Sequence, residues 1–256
     1  MALRLSTGLR DRMMEGASFK QIFAGGKIEL YTGSQPTVAD DAVAGTLLNT
    51  YTDASGAHTA EVLATGSVEL TGGASGSVDT LTVNSIEIMG SATPFNTTLT
   101  QTAADIAEKI NNNPKNMLFT ASNGGGVTVT ITAKSGLGTL PNGWVVASTV
   151  TTITTTDVNM ASGVASINGL LFTDADTGAL VKDPDQVWSG VAGNTGTAGW
   201  FRLVGPVVDA GGSSAVLPRL DGNVATSGAN LNLSSTTITA TATQTISTFT
   251  VTMPAA

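Results

Sequence analysis

The chain has 256 residues, which is enough for one large β domain or two smaller domains with a buried core. Charged residues make up only 12% of the chain and its formal net charge is −8, so we do not expect it to bind nucleic acid through a basic stripe. Cysteine is absent, which excludes disulfides and thiolate metal sites.

The first 26 residues are predicted to form a short helical arm. Ser6 or Thr7 can cap a first turn, and Ser18 can cap a second turn with the sequence FKQIFA. The apolar side chains of that second turn recur at helical spacing, and they are Phe19, Ile22 and Phe23.

A small basic cluster lies in the same arm and consists of Arg4, Arg10 and Arg12. These charges interrupt every apolar run near the start, so we expect no signal peptide there. Nowhere does the chain approach ~18 continuous apolar residues, so we expect no membrane span either. The cluster fits either a solvated helix face or a contact with an acidic partner subunit.

Strict alternation begins with the segment KIELYTG. Ile28 and Leu30 fall on one side of the predicted strand, and Glu29 and Tyr31 fall on the other. This pattern predicts a half-buried strand, followed by a loop and a second strand, TLLNTYT.

The middle of the chain, residues 66–160, has its own pattern of β-β-α-β-β with a closing strand. A turn is predicted at Asn84-Ser85, a helix capped by Thr102 and stopped by Pro114, and a hairpin whose turn is NGGG. WVVASTVTTITTT is predicted to be one further strand. The apolar stripe of the helix comprises Ala103, Ile106, Ala107 and Ile110.

The end of the chain is uncharged, since no charged residue follows Asp221. Its apolar residues nevertheless keep period-2 spacing, which predicts strands with one face on a core and one threonine-lined face outward. We expect these outward faces to pair or stack with other copies of the chain. The alternating apolar residues are Leu231, Leu233, Ile238, Ala240, Ala242, Phe249, Val251 and Met253.

These patterns predict a mainly β protein with an insertion. A β-sandwich or jelly-roll-like domain is expected from residues 27–65 and 161–256, with a small α+β domain inserted at residues 66–160 and the helical arm at residues 1–26. Two domains in series is the alternative organisation.

No catalytic or cofactor-binding residue is predicted. The only histidine, His58, has no nucleophile context beside it, so we interpret it as structural. The dispersed tryptophans favour packing over a sugar-binding platform.

An acidic run is interpreted as turn chemistry. Its start, DADTG, resembles the beginning of a calcium loop but lacks the later ligands of one. Paired glycosidase-type carboxylates are a further alternative. The acidic residues are Asp174, Asp176, Asp183 and Asp185.

Three segments resemble an inserted domain of tailed-bacteriophage virion proteins and, more distantly, of flagellar filament and cap proteins. They are DTLTVNSIEIMG, QTAADIAEKINNNP and FTASNGGGVTVTITAKSG, although Asn84-Ser85 replaces the usual Asn-Gly step. The segments LRLSTGLRDRMMEGASFKQIFAGGKIELYTGSQP, AGWFRLVG and DGNVATSGANLNLSSTTI are similar to parts of phage virion structural proteins. The resemblance implies a structural component of a virion and carries no catalytic residue.

The resulting hypothesis is a non-enzymatic virion protein that is made in the host cytoplasm and acts without a cofactor. A capsid decoration or cement protein is the first placement, a tail-tube or other tail component the second, and a carbohydrate-binding adhesin or tail fibre a further alternative. The expected partners are further copies, as a trimer or ring, and the major capsid or tail subunits.

The helical arm is the predicted subunit contact, because arginine pairs with carboxylates and aromatic anchors dominate burial at interfaces. We therefore expect that removing the residues before Lys27 leaves the β domain folded but prevents incorporation into particles. The predicted contact residues are Arg4, Arg10, Arg12, Phe19 and Phe23.

Overall fold

The computed structural model describes residues 3–252, and the chain divides into two compact units. Unit 1 is formed by Met1–Glu61 together with Ser166–Ala256, and unit 2 by Val62–Ala165. The mainly β class predicted from the sequence is confirmed, since antiparallel sheets dominate both units. The boundaries predicted at residues 66 and 160 fall inside unit 2.

The described residues form three helices and a larger number of mostly short strands. In chain order they are β1 (Arg4–Leu5), α1 (Thr7–Met14), α2 (Phe19–Phe23), β2 (Lys27–Thr32), β3 (Leu47–Asp53), β4 (Thr65–Gly72), β5 (Ser77–Val83), β6 (Ile86–Glu87), β7 (Thr93–Pro94), α3 (Leu99–Asn112), β8 (Phe119–Ser122), β9 (Thr128–Ala133), β10 (Val146–Thr151), β11 (Thr154–Ala161), β12 (Ala179–Val181), β13 (Trp188–Val191), β14 (Gly196–Val204), β15 (Arg219–Ala225), β16 (Leu231–Asn232), β17 (Thr237–Ile238), β18 (Thr243–Thr245) and β19 (Thr250–Thr252).

Unit 1 is built on a nine-stranded sheet. Its main path runs β1-β15-β14-β2-β3-β13-β18, with β16 beside β15 and β17 beside β14, while β12 and β19 form a separate pair. All of these pairs are antiparallel except β15 with β16. The central strand β2 is buried on both faces, so the prediction of a half-buried strand is wrong. The second face is covered because two long loops fold over it, as described below.

The hydrophobic core of unit 1 lies on one face of this sheet. Ile28 and Leu30 of β2 pair with Leu203 and Phe201 of β14, and all four side chains are fully buried. The uncharged end of the chain closes this core, since most of its alternating apolar side chains are buried while the threonines between them are mostly exposed. Ala240 and Ala242, which are expected on the same face, are only half-buried. The buried members are Leu231, Leu233, Ile238, Ile246, Phe249 and Val251, whereas Met253 lies outside the described residues.

The N-terminal helices are part of unit 1 rather than a separate arm. Ser6 caps α1 and Ser18 caps α2, as the sequence predicts. Leu9, Ile22 and Phe23 are completely buried in the core. The prediction of a separate arm is therefore wrong. Removal of the residues before Lys27 would open the core and take a strand from the sheet edge, so we expect it to destabilise unit 1.

Unit 2 packs the helix α3 against two four-stranded sheets. One sheet contains β10, β5, β6 and β7, and the other has the order β11-β4-β9-β8. The predicted stripe of α3 is buried against these strands, but Thr98 is the N-cap and Thr102 lies inside the helix. Asn84 and Ser85 form the predicted turn with φ of 50° and 65°. Phe119–Ser122 and Thr128–Ala133 form the predicted hairpin around NGGG.

The segment predicted as one closing strand is two strands in different sheets. Thr152 has a left-handed φ of 65° and separates β10 from β11. Side-chain hydrogen bonds connect β10 with β11 on either side of this turn. The backbone N–H of Ser148 donates to Asp157 at 2.7 Å, and that of Val146 donates to Asn159 at 3.1 Å.

Within residues 3–252, none of the helices is long and apolar enough to cross a membrane.

Candidate functional site: a loop platform over buried arginines

The second face of the nine-stranded sheet carries aromatic and charged side chains. Tyr31 of β2 stacks on Trp200 of β14 with ring centroids 4.6 Å apart, and the guanidinium of Arg202 lies 5.5 Å from the Trp200 ring centroid. The Tyr31 hydroxyl donates to Glu29 at 2.7 Å, and Lys27 pairs with the same carboxylate at 2.6 Å. Burial, together with the charge and hydrogen bond of Glu29, raises the pKa of Tyr31. This face is thus a packed polar layer.

Arg202 is the centre of the layer and is completely buried. Its Nε and Nη2 donate to the two carboxylate oxygens of Asp221 on β15, both at 2.7 Å. Two further guanidinium hydrogen bonds, both 3.1 Å long, reach the backbone carbonyls of Ala39 and Asp41 in the loop between β2 and β3. Arg202 therefore joins the sheet to that loop.

Arg219 makes a second set of contacts of the same kind. It pairs in a bidentate manner with Asp209, at 2.6 and 2.7 Å, and donates to the backbone carbonyl of Gly212 at 2.7 Å. Another hydrogen bond, 3.4 Å long, reaches the carbonyl of Asp41. Guanidinium groups on the neighbouring strands β14 and β15 thus hold two loops, the one between β2 and β3 and the one between β14 and β15.

Ion pairing opposes the effect of burial in both pairs. Burial raises the pKa of Asp221, although the hydrogen bond and charge of Arg202 act in the opposite direction. Burial alone lowers the pKa of Arg202, but the hydrogen bonds and charge of Asp221 outweigh it and raise the pKa. Burial alone raises the pKa of Asp209, but hydrogen bonds from Arg219 and from the Gly211 amide outweigh it and lower the pKa. Each buried charge therefore has a compensating partner, as buried ions require.

The two loops also contact each other and the helix α1. The backbone N–H of Val43 donates to the carbonyl of Gly211 at 2.8 Å, and that of Ser214 donates to Asp40 at 2.8 Å. Thr7 donates its backbone N–H and its hydroxyl to the carboxylate of Asp40, at 2.8 and 2.6 Å. We call residues 33–46, residues 205–218 and the first turn of α1 together the loop platform.

The outer surface of the loop platform is largely uncharged and partly apolar. Val216 is 80% exposed and Val38 is 49% exposed. The backbone of Val216 lies directly against Gly8, where any added Cβ would come within 2.4 Å of it. The platform thus presents exposed apolar side chains on loops that hydrogen bonds hold in place.

The three predicted contact arginines have different surroundings. Arg4 lies on β1 beside Asp221 of β15. Arg10 is exposed and donates to the Thr7 hydroxyl at 2.9 Å, at the margin of the loop platform. Arg12 is half-buried, and this burial lowers its pKa although Glu15 and Glu61 act in the opposite direction. Arg10 is therefore the most exposed of the three predicted contact arginines.

The two predicted aromatic contacts have different surroundings. Phe23 is completely buried in its own unit, so its prediction as a subunit contact is corrected to a core role. Phe19 is partly buried and packs on Phe23 and Phe172, with ring centroids 4.6 and 6.2 Å away. It also lines a largely apolar cavity of about 330 Å³ that reaches Leu180 and Val251.

The acidic run contributes to turns and one ion pair. The carboxylate of Asp174 accepts from Lys20 at 2.7 Å, and Asp183 accepts from the backbone N–H of Asp185 at 2.9 Å. Asp176 closes a tight hairpin through its backbone. Among the residues that the structure describes, no group of three or more His, Asp or Glu side chains could hold a metal ion.

The remaining residues considered from the sequence have structural contacts. A ring nitrogen of His58 lies 3.0 Å from the carbonyl of Gly25. Trp188 and Trp200 are completely buried, and Trp144 packs on Phe119 in unit 2. These three tryptophans do not form an exposed sugar-binding surface.

Comparison with known proteins gives no match: no family model, curated protein or solved structure is similar to this chain.

Proposed function

We propose that this chain is a non-enzymatic structural protein of a tailed-phage particle, with capsid decoration as its first placement and a tail component as its second. The loop platform is its docking face on the other virion subunits. The sequence resemblance supports the phage assignment, and the construction of the platform supports the docking role.

The observation that carries the docking role is the buried arginine network. Buried ion pairs are weak sources of stability, since the cost of removing charges from water offsets much of their attraction. Here the guanidinium groups of both pairs also donate hydrogen bonds to loop carbonyls. The accepting carbonyls are those of Ala39, Asp41 and Gly212. Long loops that are held so firmly are commonly functional, because a fixed surface loses little entropy when it binds.

An adhesin is less well supported than a docking protein. Sugar recognition needs exposed aromatic rings that converge on one surface, whereas Trp188 and Trp200 are used in packing. The exposed valines of the loop platform suit a protein partner better than a glycan.

The test is incorporation into particles when the platform is altered. Val216→Glu places a charge on the exposed apolar surface without changing the buried network, so we expect incorporation to fall at least about tenfold. Val145→Glu in unit 2 is the matched control, since Val145 is exposed outside the platform. Normal incorporation of the Val216 variant, or an equal loss in the control, would refute the docking role.

A further inference from the structure

The outer edge of β18 lacks the protections that several other sheet edges of this molecule have. β18 ends the nine-stranded sheet and pairs on its inner side with β13. The inner hydrogen bonds run from Ile246 to the carbonyl of Trp188 and from Ala192 to the carbonyl of Ala242. Because successive residues of a strand alternate, Thr243 and Thr245 turn their N–H and C=O groups away from the sheet.

Two edges of unit 2 are closed by side chains. On β8, the Asn111 side chain accepts from the N–H of Ala121 at 2.8 Å and donates to its carbonyl at 2.9 Å. On β10, Asp157 and Asn159 accept the backbone N–H groups described above. Such side-chain caps prevent a strand from pairing with another chain.

Other short edges carry residues that discourage pairing. Pro94 lies on β7, and Arg4 lies on β1 at the opposite end of the nine-stranded sheet. Proline lacks a donor, and a charge is costly to bury between two strands. The chain therefore protects these edges by several different means.

The edge of β18 has none of these protections. Its sequence is Thr-Gln-Thr, both threonines are exposed, and no charged residue follows Asp221 in the chain. Val191 on the neighbouring strand lies opposite Thr243 and is 55% exposed, so apolar surface lies beside the open edge. Two such edges can approach each other without repulsion between like charges.

We propose that the outer edge of β18 pairs with the same edge of a second copy of this chain. An antiparallel arrangement with a two-fold axis at Gln244 places Thr243 opposite the partner's Thr245, so their outward backbone groups satisfy each other. This inference rests on the proposed role as a repeated building block and names the place where two copies meet. The contact is short, so it forms where the local concentration of copies is high, as in an assembly.

The absence of cysteine gives a direct test by cross-linking. In the proposed arrangement the two copies of residue 244 face each other at a non-hydrogen-bonded position, with Cα atoms about 4.5 Å apart. That separation suits a disulfide. Gln244→Cys should therefore form a disulfide-linked dimer at least about tenfold faster than Thr120→Cys, which puts the thiol on the capped edge β8.

A second substitution tests the edge itself. Adding Thr245→Lys to the Gln244→Cys chain should reduce the cross-linking rate to that of the Thr120→Cys control, since it places two like charges at the pairing edge. Equal rates for Gln244→Cys and Thr120→Cys, both in solution and in assembled particles, would overturn the inference. The proposed function fails separately, if the unaltered chain is absent from the particles.

Discussion

At the scale of single residues, the polar layer under the loop platform contains two buried ion pairs. Arg202 and Asp221 are completely buried and satisfy each other, while Arg219 and Asp209 repeat the arrangement at the next loop. A buried guanidinium cannot discard its proton, so the loss of its carboxylate leaves an uncompensated charge.

Asp221→Asn should lower the free energy of unfolding of the chain by roughly 3–5 kcal/mol, because Arg202 then remains charged and buried. Urea denaturation followed by circular dichroism measures this change. Asp174→Asn is the matched control, since its ion pair with Lys20 is at the surface and we expect no measurable change. Equal stability of both variants would show that the buried pair does not hold the loops.

The two tyrosines of the chain give a pH-dependent prediction. Burial raises the pKa of Tyr51 from 10.0 to about 12, and burial with Glu29 raises that of Tyr31. Raised values favour the neutral form in the folded state, so this stability is complete below about pH 10 and is lost as the pH rises towards 12.

Alkaline titration should therefore show tyrosinate absorbance rising together with the loss of near-ultraviolet circular dichroism. A tyrosine that ionises near pH 10 while the dichroism stays native would contradict the burial of that side chain.

At the scale of elements, local signals in the sequence predicted much of unit 2. The positive φ values of Asn84 and Ser85 match a turn that these residue types favour, and the apolar stripe of α3 faces the core. The predicted helix start is too late by one turn, because Thr98 and Thr102 are both residues that can cap a helix. In the structure the Thr98 side chain accepts from the backbone N–H of Gln101, so Thr98 is the N-cap.

The N-cap assignment can be tested with two neighbouring substitutions. Thr98→Ala should lower the free energy of unfolding by about 1 kcal/mol, because the cap hydrogen bond is lost. Thr100→Ala is the control, because Thr100 is exposed on the helix and alanine is the better helix former. Thermal denaturation compares the two, and equal melting temperatures would contradict the assignment of Thr98.

Long-range contacts account for what the sequence could not predict. The loop carbonyls that bind Arg202 are about 160 residues away in the chain, so no local pattern reveals their meeting. One weak signal was present, because arginines occur within apolar strands of a chain that has few charges. The break at Thr152 was missed for the same reason, since strand pairing with distant partners decides it.

At the scale of the whole molecule, the uncharged end of the chain has two roles. Its apolar residues close the core of unit 1, and its threonines form the outer surface. The core role follows from the alternation in the sequence. The proposed external roles, a docking platform and an open edge at β18, depend on surfaces that only the folded chain assembles.

The central claim is that many copies of this chain form part of a tailed-phage particle. Quantitative mass spectrometry of purified particles, combined with localisation by electron cryomicroscopy, tests it most directly. The account predicts a high copy number in a regular array, first on the head and second along the tail. A chain that is absent from the particles, or that is a monomer turning over a substrate, would contradict it.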